Sequence, residues 1–282
     1  MRRTWASVVR GGWSRLERTM AAAPGIRQVR RLAHAAEFAH GRPMNGYLGV
    51  YTSFAEAARA APPGAPLGYD DDSMAGLYTG TIGALNPADY PVLFWLRQLI
   101  GEARGVLDFG GHVGLAYYGY RRYVDFPTEL RWTVCDVPAV VRAGRRLAVD
   151  LGATSLAFTE QVGDGDGCDI LLAAGSLQYV EEGFLHRALA AFRRRPRHVI
   201  VQRTPFHDTR SFVTLQATGP AFCPYTVAHR GAFVQGLTSL GYELVDSWQL
   251  PRALNVPLEP ECHVPAYSGL YFRIRQDAPE TV

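Results

Sequence analysis

The sequence contains no lysine, so all 29 of its basic residues are arginine. Schiff-base chemistry and the phosphate-binding P-loop both need a lysine, and both kinds of site are excluded. Cysteine is also scarce, and its four positions show no C-x-x-C spacing: Cys135, Cys168, Cys223 and Cys262. We therefore expect no metal site and no disulfide framework, and we expect the protein in a reducing cytoplasm.

Long apolar runs are missing as well. No stretch of about eighteen apolar residues occurs, so no membrane span is expected, and the N-terminus lacks the apolar core of a secretory signal. The net charge of +3 is too small to indicate nucleic-acid binding. With 282 residues, 48% of them hydrophobic, the chain is long and apolar enough to bury a full core.

Residues 1–34 differ from the rest because they carry many arginines and a single acid, Glu17. Their apolar residues recur at helical spacing: Trp5, Val8, Val9, Trp13, Leu16 and Met20. We favour a helix that packs on the body or on a second subunit of a homodimer. The alternative is a basic amphipathic helix that contacts an anionic membrane surface.

The stretch Gly105–Gly119, GVLDFGGHVGLAYYG, is the centre of the chain. A short apolar run breaks into glycines and then continues as a helix, which is typical of the nucleotide-binding strand–loop–helix unit. The dinucleotide fingerprint G-x-G-x-x-G fails in either register. The pattern D-x-G-x-x-x-G fits, with Asp108, Gly110 and Gly114, and it is the first motif of class I S-adenosylmethionine (SAM) methyltransferases. His112 occupies its middle glycine position. A glycine-rich turn without a ligand is the alternative.

After this stretch, strands and helices alternate. Strands are predicted at 106–109, 130–135, 155–158, 169–173 and 198–202, with helices at 115–123, 138–151 and 181–194 between them. Such alternation predicts a doubly wound parallel sheet. Helix 228–240 and two β-rich runs, 241–248 and 267–273, follow. They predict a seven-stranded Rossmann-like α/β sheet with an antiparallel last strand, which favours a methyltransferase over a dehydrogenase.

Ligands bind at the carboxyl ends of parallel strands. Asp136 ends the second strand and is placed to accept hydrogen bonds from ribose hydroxyls, or to cap the helix at Pro138. After the third strand, an adenine contact is expected from one of Glu160, Asp164 and Asp166. The aspartates Asp70 to Asp72 lie in a polar loop, where a solvated turn or helix cap is favoured over a metal site.

Several segments resemble a bacterial family of methyltransferases whose genes are often found near polysaccharide or O-antigen clusters. The segments, within residues 45–275, are GVYTSFAEA, GYD, VLDFGGHVG, Asp136-Val137-Pro138, GSLQYVE, IVQRTPFHD, SFVTLQ, CPYTVAHRGAF, GYELVDSW and YSGLYFR. The resemblance implies the class I fold and SAM as cofactor, but supplies no substrate. The expected cofactor-binding residues are Asp108, Gly110, Gly111, His112, Gly114, Asp136, Val137, Ser176, Leu177 and Gln178.

Methyl transfer to a hydroxyl needs a group that takes the acceptor's proton. His207, with Asp208 beside it, follows the fifth strand and is the first candidate; His229 and His263 are later ones. Arg203 is predicted either to bind an anionic group of the substrate or to form a structural ion pair. Tyr225 and Tyr267 form either a pocket wall or part of the core.

We therefore expect a helical extension and cap over residues 1–100 and a SAM-binding domain over 101–282. The predicted activity is methyl transfer from SAM to a hydroxyl of a small molecule or glycan, without a metal. A non-catalytic SAM-fold binding protein and a nicotinamide-dependent oxidoreductase are the alternatives.

Overall fold

The computed structural model describes residues 24–41, 45–77, 79–219 and 221–275, so residues 1–23 of the predicted basic helix lie outside them. The α-helices are α1 (Pro24–Gly41), α2 (Phe54–Arg59), α3 (Asp72–Ala75), α4 (Tyr90–Leu99), α5 (Leu115–Tyr120), α6 (Pro138–Asp150), α7 (Phe184–Ala191) and α8 (Arg230–Ser239). The strands are β1 (Gly46–Tyr51), β2 (Gly105–Phe109), β3 (Arg131–Cys135), β4 (Leu156–Thr159), β5 (Ile170–Ala174), β6 (His198–Thr204), β7 (Phe206–His207), β8 (Phe212–Ala217), β9 (Phe222–His229), β10 (Tyr242–Leu250) and β11 (Tyr267–Ile274). Short 3₁₀ helices lie at Thr79–Thr81, Pro87–Asp89, Ile100–Glu102, Val162–Gly165, Leu177–Tyr179 and Pro260–Cys262.

Seven strands form the main sheet in the order β10-β11-β6-β5-β2-β3-β4. β11 runs antiparallel between β6 and β10, and the pairs from β6 to β4 are parallel. This is the class I methyltransferase, Rossmann-like arrangement that the sequence predicts, with the antiparallel strand as expected. No helix within the described ranges is long and apolar enough to cross a membrane.

Both faces of the main sheet are covered, as expected for buried parallel strands: β2 and β5 are almost entirely apolar, and β6 is apolar over Val199–Val201. Helices α4, α5 and α6 pack on one face around the buried Trp132. Helices α7 and α8 pack on the other face around Leu171 and Phe272. This two-sided burial leaves the strand ends as the place where polar side chains meet.

A second sheet of four strands, in the order β1-β8-β9-β7, was not predicted. Its strand β1 precedes the main sheet in sequence, whereas β7, β8 and β9 are inserted between β6 and α8. Gly46 of β1 pairs with Ala217 of β8. The Thr226 hydroxyl of β9 donates to the carbonyl oxygen of Val180, which places this sheet beside the loop that follows β5.

The predicted helix boundaries hold within two residues at most ends, but α5 ends at Tyr120 and not near 123, and α7 differs by three residues at both ends. Helix α7 begins at Phe184 and not at Glu181, because Gly183 precedes it with φ of 76°. Ser53 is the N-cap of α2, since its hydroxyl accepts the Glu56 N–H at 3.2 Å. The Glu56 carboxylate in turn accepts the Thr52 N–H, one residue before the position expected of a capping box.

Candidate functional site

The loop after β2 packs tightly against the loop after β5. Gly110 has φ of 68°, and a Cβ there would lie 2.2 Å from Ser176 Cβ. The Ser176 hydroxyl donates to the Phe109 carbonyl oxygen at 2.6 Å. A Cβ on Gly111 would lie 2.3 Å from a carboxylate oxygen of Asp108. Glycine is therefore required at both positions by the packing of the loop itself.

Asp108 is fully buried at the end of β2. Its Oδ2 accepts the indole N–H of Trp132 at 3.1 Å, whereas Oδ1 has no hydrogen-bond partner within the described residues. Burial raises the pKa of Asp108 to about 7, although the bond from Trp132 opposes the shift. An ionised Asp108 is costly here unless a donor, such as a ligand ammonium, reaches Oδ1.

Asp136, at the end of β3, is connected to His112. Its Oδ2 accepts the His112 N–H and its Oδ1 accepts the Val137 N–H, both at 2.8 Å. Burial raises the pKa of Asp136, and these two bonds oppose the rise. A carboxylate oxygen has more than one lone pair, so each can also accept a ligand hydroxyl. Val137 and not Asp136 is the N-cap of α6, without a side-chain cap bond, so the predicted cap role of Asp136 is wrong. Its ribose role stays a prediction.

His112 holds a segment of the chain above this loop. Its backbone is left-handed, with φ of 56°, and its ring is buried, which lowers its pKa. Nε2 lies 3.0 Å from the carbonyl oxygen of Met74. Because a carbonyl only accepts, Nε2 carries the proton and donates it. The residue that replaces the usual glycine therefore reaches outward to the chain that covers the loop.

We call residues 67–77 the strap. Asp70 Oδ1 accepts the N–H of Ala139 at the start of α6, at 2.8 Å, and Leu67 bridges to Phe222 of the second sheet. Asp71 caps α3 through the N–H of Ser73 at 2.9 Å. Asp71 is thus a helix cap, as predicted for this run, and Asp72 lies in the first turn of α3. No group of metal-ligating side chains occurs in the part of the chain that the structure describes.

Arg203 ends β6 in a left-handed conformation, with φ of 53°. Its Nη1 lies 3.3 Å from Asp89 Oδ1, and its Nη2 donates to the Ala174 carbonyl oxygen at 3.2 Å. Burial raises the pKa of Asp89, whereas the charge of Arg203 and the Tyr120 hydroxyl lower it. Of the two predicted roles for Arg203, the ion pair is present, and Asp89 is its partner.

Gln178 carries a buried acceptor oxygen that, like Asp108 Oδ1, lacks a donor within the described residues. Its Nε2 donates to the Gly175 carbonyl oxygen at 2.8 Å, but its Oε1 has no hydrogen-bond partner among the described residues. A Cβ on Gly175 would lie 3.4 Å from Arg203 Nε and 3.8 Å from Gln178 Nε2. The charge of Arg203 also lowers the pKa of Asp108. Arg203 therefore lies close to the Gln178 side chain, and its charge acts on the buried Asp108.

The other predicted cofactor residues differ in position. Gly114 begins α5 with φ of 95°, and Val137 precedes Pro138 in the turn that begins α6. The side chain of Leu177 is buried in the apolar core with Phe109 and Phe206. Asp166 accepts the Arg194 N–H at 2.9 Å, and Asp164 accepts the Thr159 hydroxyl. Glu160 is exposed.

The predicted proton acceptors lie in the second sheet. His207 Nε2 is 3.0 Å from the Glu261 carbonyl oxygen, and Nδ1 accepts the Thr209 and Arg210 N–H groups at 3.3 Å. Asp208 is exposed, and its carbonyl oxygen accepts from His229 Nε2 at 3.0 Å. His263 Nδ1 meets Asn255 at 2.5 Å. None of these contacts involves the residues around Gly110. Of the predicted catalytic residues His207, Asp208 and Arg203, only Arg203 lies near the loops after β2 and β5.

Tyr225 and Tyr267 are buried core residues whose hydroxyls satisfy one another. Their oxygens are 2.8 Å apart, and the hydroxyl of Tyr47 lies 3.0 Å from that of Tyr267. Burial raises the pKa of both residues. Arg252 covers the Tyr267 ring, with its guanidinium carbon 5.0 Å from the ring centroid.

Sequence reasoning missed Asp89, Gln202 and Met74. Gln202 is fully buried in β6; it binds the Ala88 carbonyl oxygen and accepts the indole N–H of Trp248 at 2.8 Å. It thereby fixes the turn that carries Asp89. A polar residue inside an apolar strand was the available signal for Gln202, whereas no local pattern marks Asp89 or Met74.

No family model and no curated protein matches the sequence. Among solved structures, one similar chain is a 1,6-didemethyltoxoflavin-N1-methyltransferase from Burkholderia thailandensis with its substrate and S-adenosylhomocysteine (TM-score 0.47, 18% identity, 77% of this chain and 95% of that chain covered). An O-methyltransferase family protein from Burkholderia thailandensis gives a TM-score of 0.48 at 14% identity, with 73% and 61% covered. The magnesium protoporphyrin IX methyltransferase of Synechocystis PCC 6803, with bound S-adenosylhomocysteine, gives 0.45 at 14% identity, with 66% and 81% covered. These identities are too low to assign the chain to a family.

Proposed function

We propose that the protein binds SAM at the carboxyl ends of β2, β3 and β5 and transfers its methyl group to a hydroxyl of a small molecule or glycan. The observation that carries the proposal is two buried acceptors without donors among the described residues, Asp108 Oδ1 and Gln178 Oε1, together with Arg203, which lies close to Gln178 and lowers the pKa of Asp108. An α-amino acid group offers an ammonium for the acceptors and a carboxylate for the arginine.

The rest of the site fits the nucleoside part of the same molecule. Asp136, at the next strand end, retains lone pairs for ribose hydroxyls, and the strap lies above it through Asp70 and His112. When bound, SAM would supply a methyl carbon that the acceptor oxygen attacks in line with the methyl–sulfur bond, and S-adenosylhomocysteine is the leaving group. The chain's residues hold the two reactants in register and exclude water. They need no lysine and no metal for this.

In this proposal His207, with Asp208 beside it, takes the proton of the acceptor hydroxyl. The Nε2 hydrogen points at the Glu261 carbonyl oxygen, so Nδ1 is the nitrogen that takes the proton, and its contacts with the Thr209 and Arg210 N–H groups must open first. Arg203 binds the cofactor and keeps Asp89 paired. The antiparallel β11 counts against the oxidoreductase alternative, since a dinucleotide domain ends on a parallel strand.

Calorimetric titration with S-adenosylhomocysteine tests the proposal, with NADH as comparator. We expect binding to the full chain and at least about a tenfold loss, or about 1.4 kcal/mol, in Asp136→Asn. Asp150→Asn, at the exposed end of α6, is the matched control and should bind like the parent chain. Binding of NADH alone, or no binding by a folded chain, would refute the proposal.

A further inference from the structure

An apolar cavity of about 230 Å³ lies beside the candidate site, between α7, α8 and the second sheet. Its walls include Leu177, Phe184, Phe206, Phe233 and Leu237, and each of these packs in the core on that face of the main sheet. An engineered cavity of about 150 Å³ with comparable walls stays dry and binds benzene. The volume here suits a two-ring group.

The cavity wall contains little that would hold a polar ligand. The Thr226 hydroxyl donates to the Val180 carbonyl oxygen at 2.8 Å, and the Thr204 hydroxyl donates to the Gln202 carbonyl oxygen at 3.4 Å. The hydrogens of both hydroxyls are therefore already donated to carbonyl oxygens of the protein. The described lining residues also include His186, which is half-buried, and Glu181 and Glu182, which are exposed, but no arginine. These carboxylates disfavour an anionic ligand.

The cavity shares its wall with the candidate cofactor site. Leu177 and Val180 line the cavity, whereas Ser176 and Gln178 of the same loop face Gly110 and Gly175. Thr204 of the lining directly follows Arg203. A ligand in the cavity is thus separated from the cofactor residues by one turn of chain.

We infer that this cavity receives the apolar, ring-shaped part of the methyl acceptor, an uncharged aromatic group of one or two rings. The inference rests on the proposed function and narrows it, because a glycan has no apolar group that fills such walls. The part of the acceptor that carries the reacting hydroxyl would then extend past the 176–180 loop toward the cofactor.

The test uses indole as the probe, by calorimetry on the full chain, with and without saturating S-adenosylhomocysteine. Ala232→Phe, on α8, and Ala228→Phe, on β9, fill the cavity from two different elements. If one of these variants misfolds, the other still tests the inference. Ala190→Phe, on the exposed side of α7 and outside the lining, is the matched control. We expect indole to bind the parent chain and the control, and to bind a folded filling variant at least about tenfold more weakly.

A ternary complex with indole and S-adenosylhomocysteine together supports the inference, as does unchanged S-adenosylhomocysteine affinity in the filling variants. Absence of indole binding, equal binding to the filling variants, or competition between the two probes would overturn it while the cofactor proposal stands. Indole binding without any S-adenosylhomocysteine binding would refute the cofactor proposal, and with it the acceptor role of the cavity.

Discussion

Arg203 Nη1 lies 3.3 Å from Asp89 Oδ1, and this contact joins the end of β6 to the turn before α4. Asp89 is buried, whereas the Arg203 side chain keeps 30% of its surface exposed. The carboxylate therefore depends on the arginine more than the arginine depends on it. Any change at Arg203 leaves a charge inside the protein.

Replacement of Arg203 by Met should lower the free energy of unfolding by about 1–3 kcal/mol, because Asp89 then lacks its cation. Urea denaturation measures the change. The Asp89→Asn/Arg203→Met double variant removes the stranded charge and should recover part of the loss. If the effects of the two single changes simply add, the two side chains are not coupled.

Asp108→Asn should change how stability depends on pH. Because the folded pKa is raised to about 7 from an ordinary value of 3.8, the folded chain holds a proton that the unfolded chain has lost between these values. The contribution of Asp108 to the free energy of unfolding is therefore fully present below pH 3.8. It falls as pH rises toward 7, by at most about 1.4 kcal/mol per pH unit. The Asp108→Asn variant should lack this pH dependence, which urea denaturation from pH 5 to 8 measures. Identical plots of unfolding free energy against pH for the variant and the parent chain would contradict the prediction.

His112→Gly and His112→Ala separate the two effects of this residue. Both remove the bond to Met74, so hydrogen exchange of residues 70–77 should become faster in each. Only Gly relieves the left-handed backbone, so the Ala variant should be less stable than the Gly variant by about 1 kcal/mol. Unchanged exchange in the strap would show that Asp70 and Leu67 hold it without His112.

Gly110→Ala should destabilise the fold by about 1–3 kcal/mol and weaken S-adenosylhomocysteine binding. The new methyl combines a left-handed backbone with a 2.2 Å approach to Ser176. Gly163→Ala is the control, because nothing lies within 4 Å of its Cβ position, and it should stay within about 0.5 kcal/mol of the parent chain. Thermal melts of the two variants side by side would decide it.

The main sheet could be predicted from the sequence because its signals are local. Most of the parallel strands are short apolar runs followed by a glycine or an acid, and α6 has its own start signal in Pro138. Strand order then follows from right-handed connections between parallel strands. Asp108 and Asp136 were found in the same way, since both end a strand.

The second sheet and Asp89 could not be found in this way. The pairing of β1 with β8 depends on contact between residues far apart in sequence, and the run FCPYTVAH of β9 contains a proline that weakens its strand signal. Asp89 reaches the site because buried Gln202 holds the neighbouring Ala88 carbonyl oxygen. Such a contact has no periodicity and no fixed spacing.

The pairing of Gly46 with Ala217 also bears on how the chain is made. During synthesis β1 emerges long before its partner β8 exists, so its unpaired edge stays open until the whole main sheet up to β6 has left the ribosome. The second sheet therefore closes only after β2 to β6 have been made, whereas β10 and β11 of the main sheet still follow it in the chain. Refolding experiments should find it in the slow, long-range phase, because loops of this length close late.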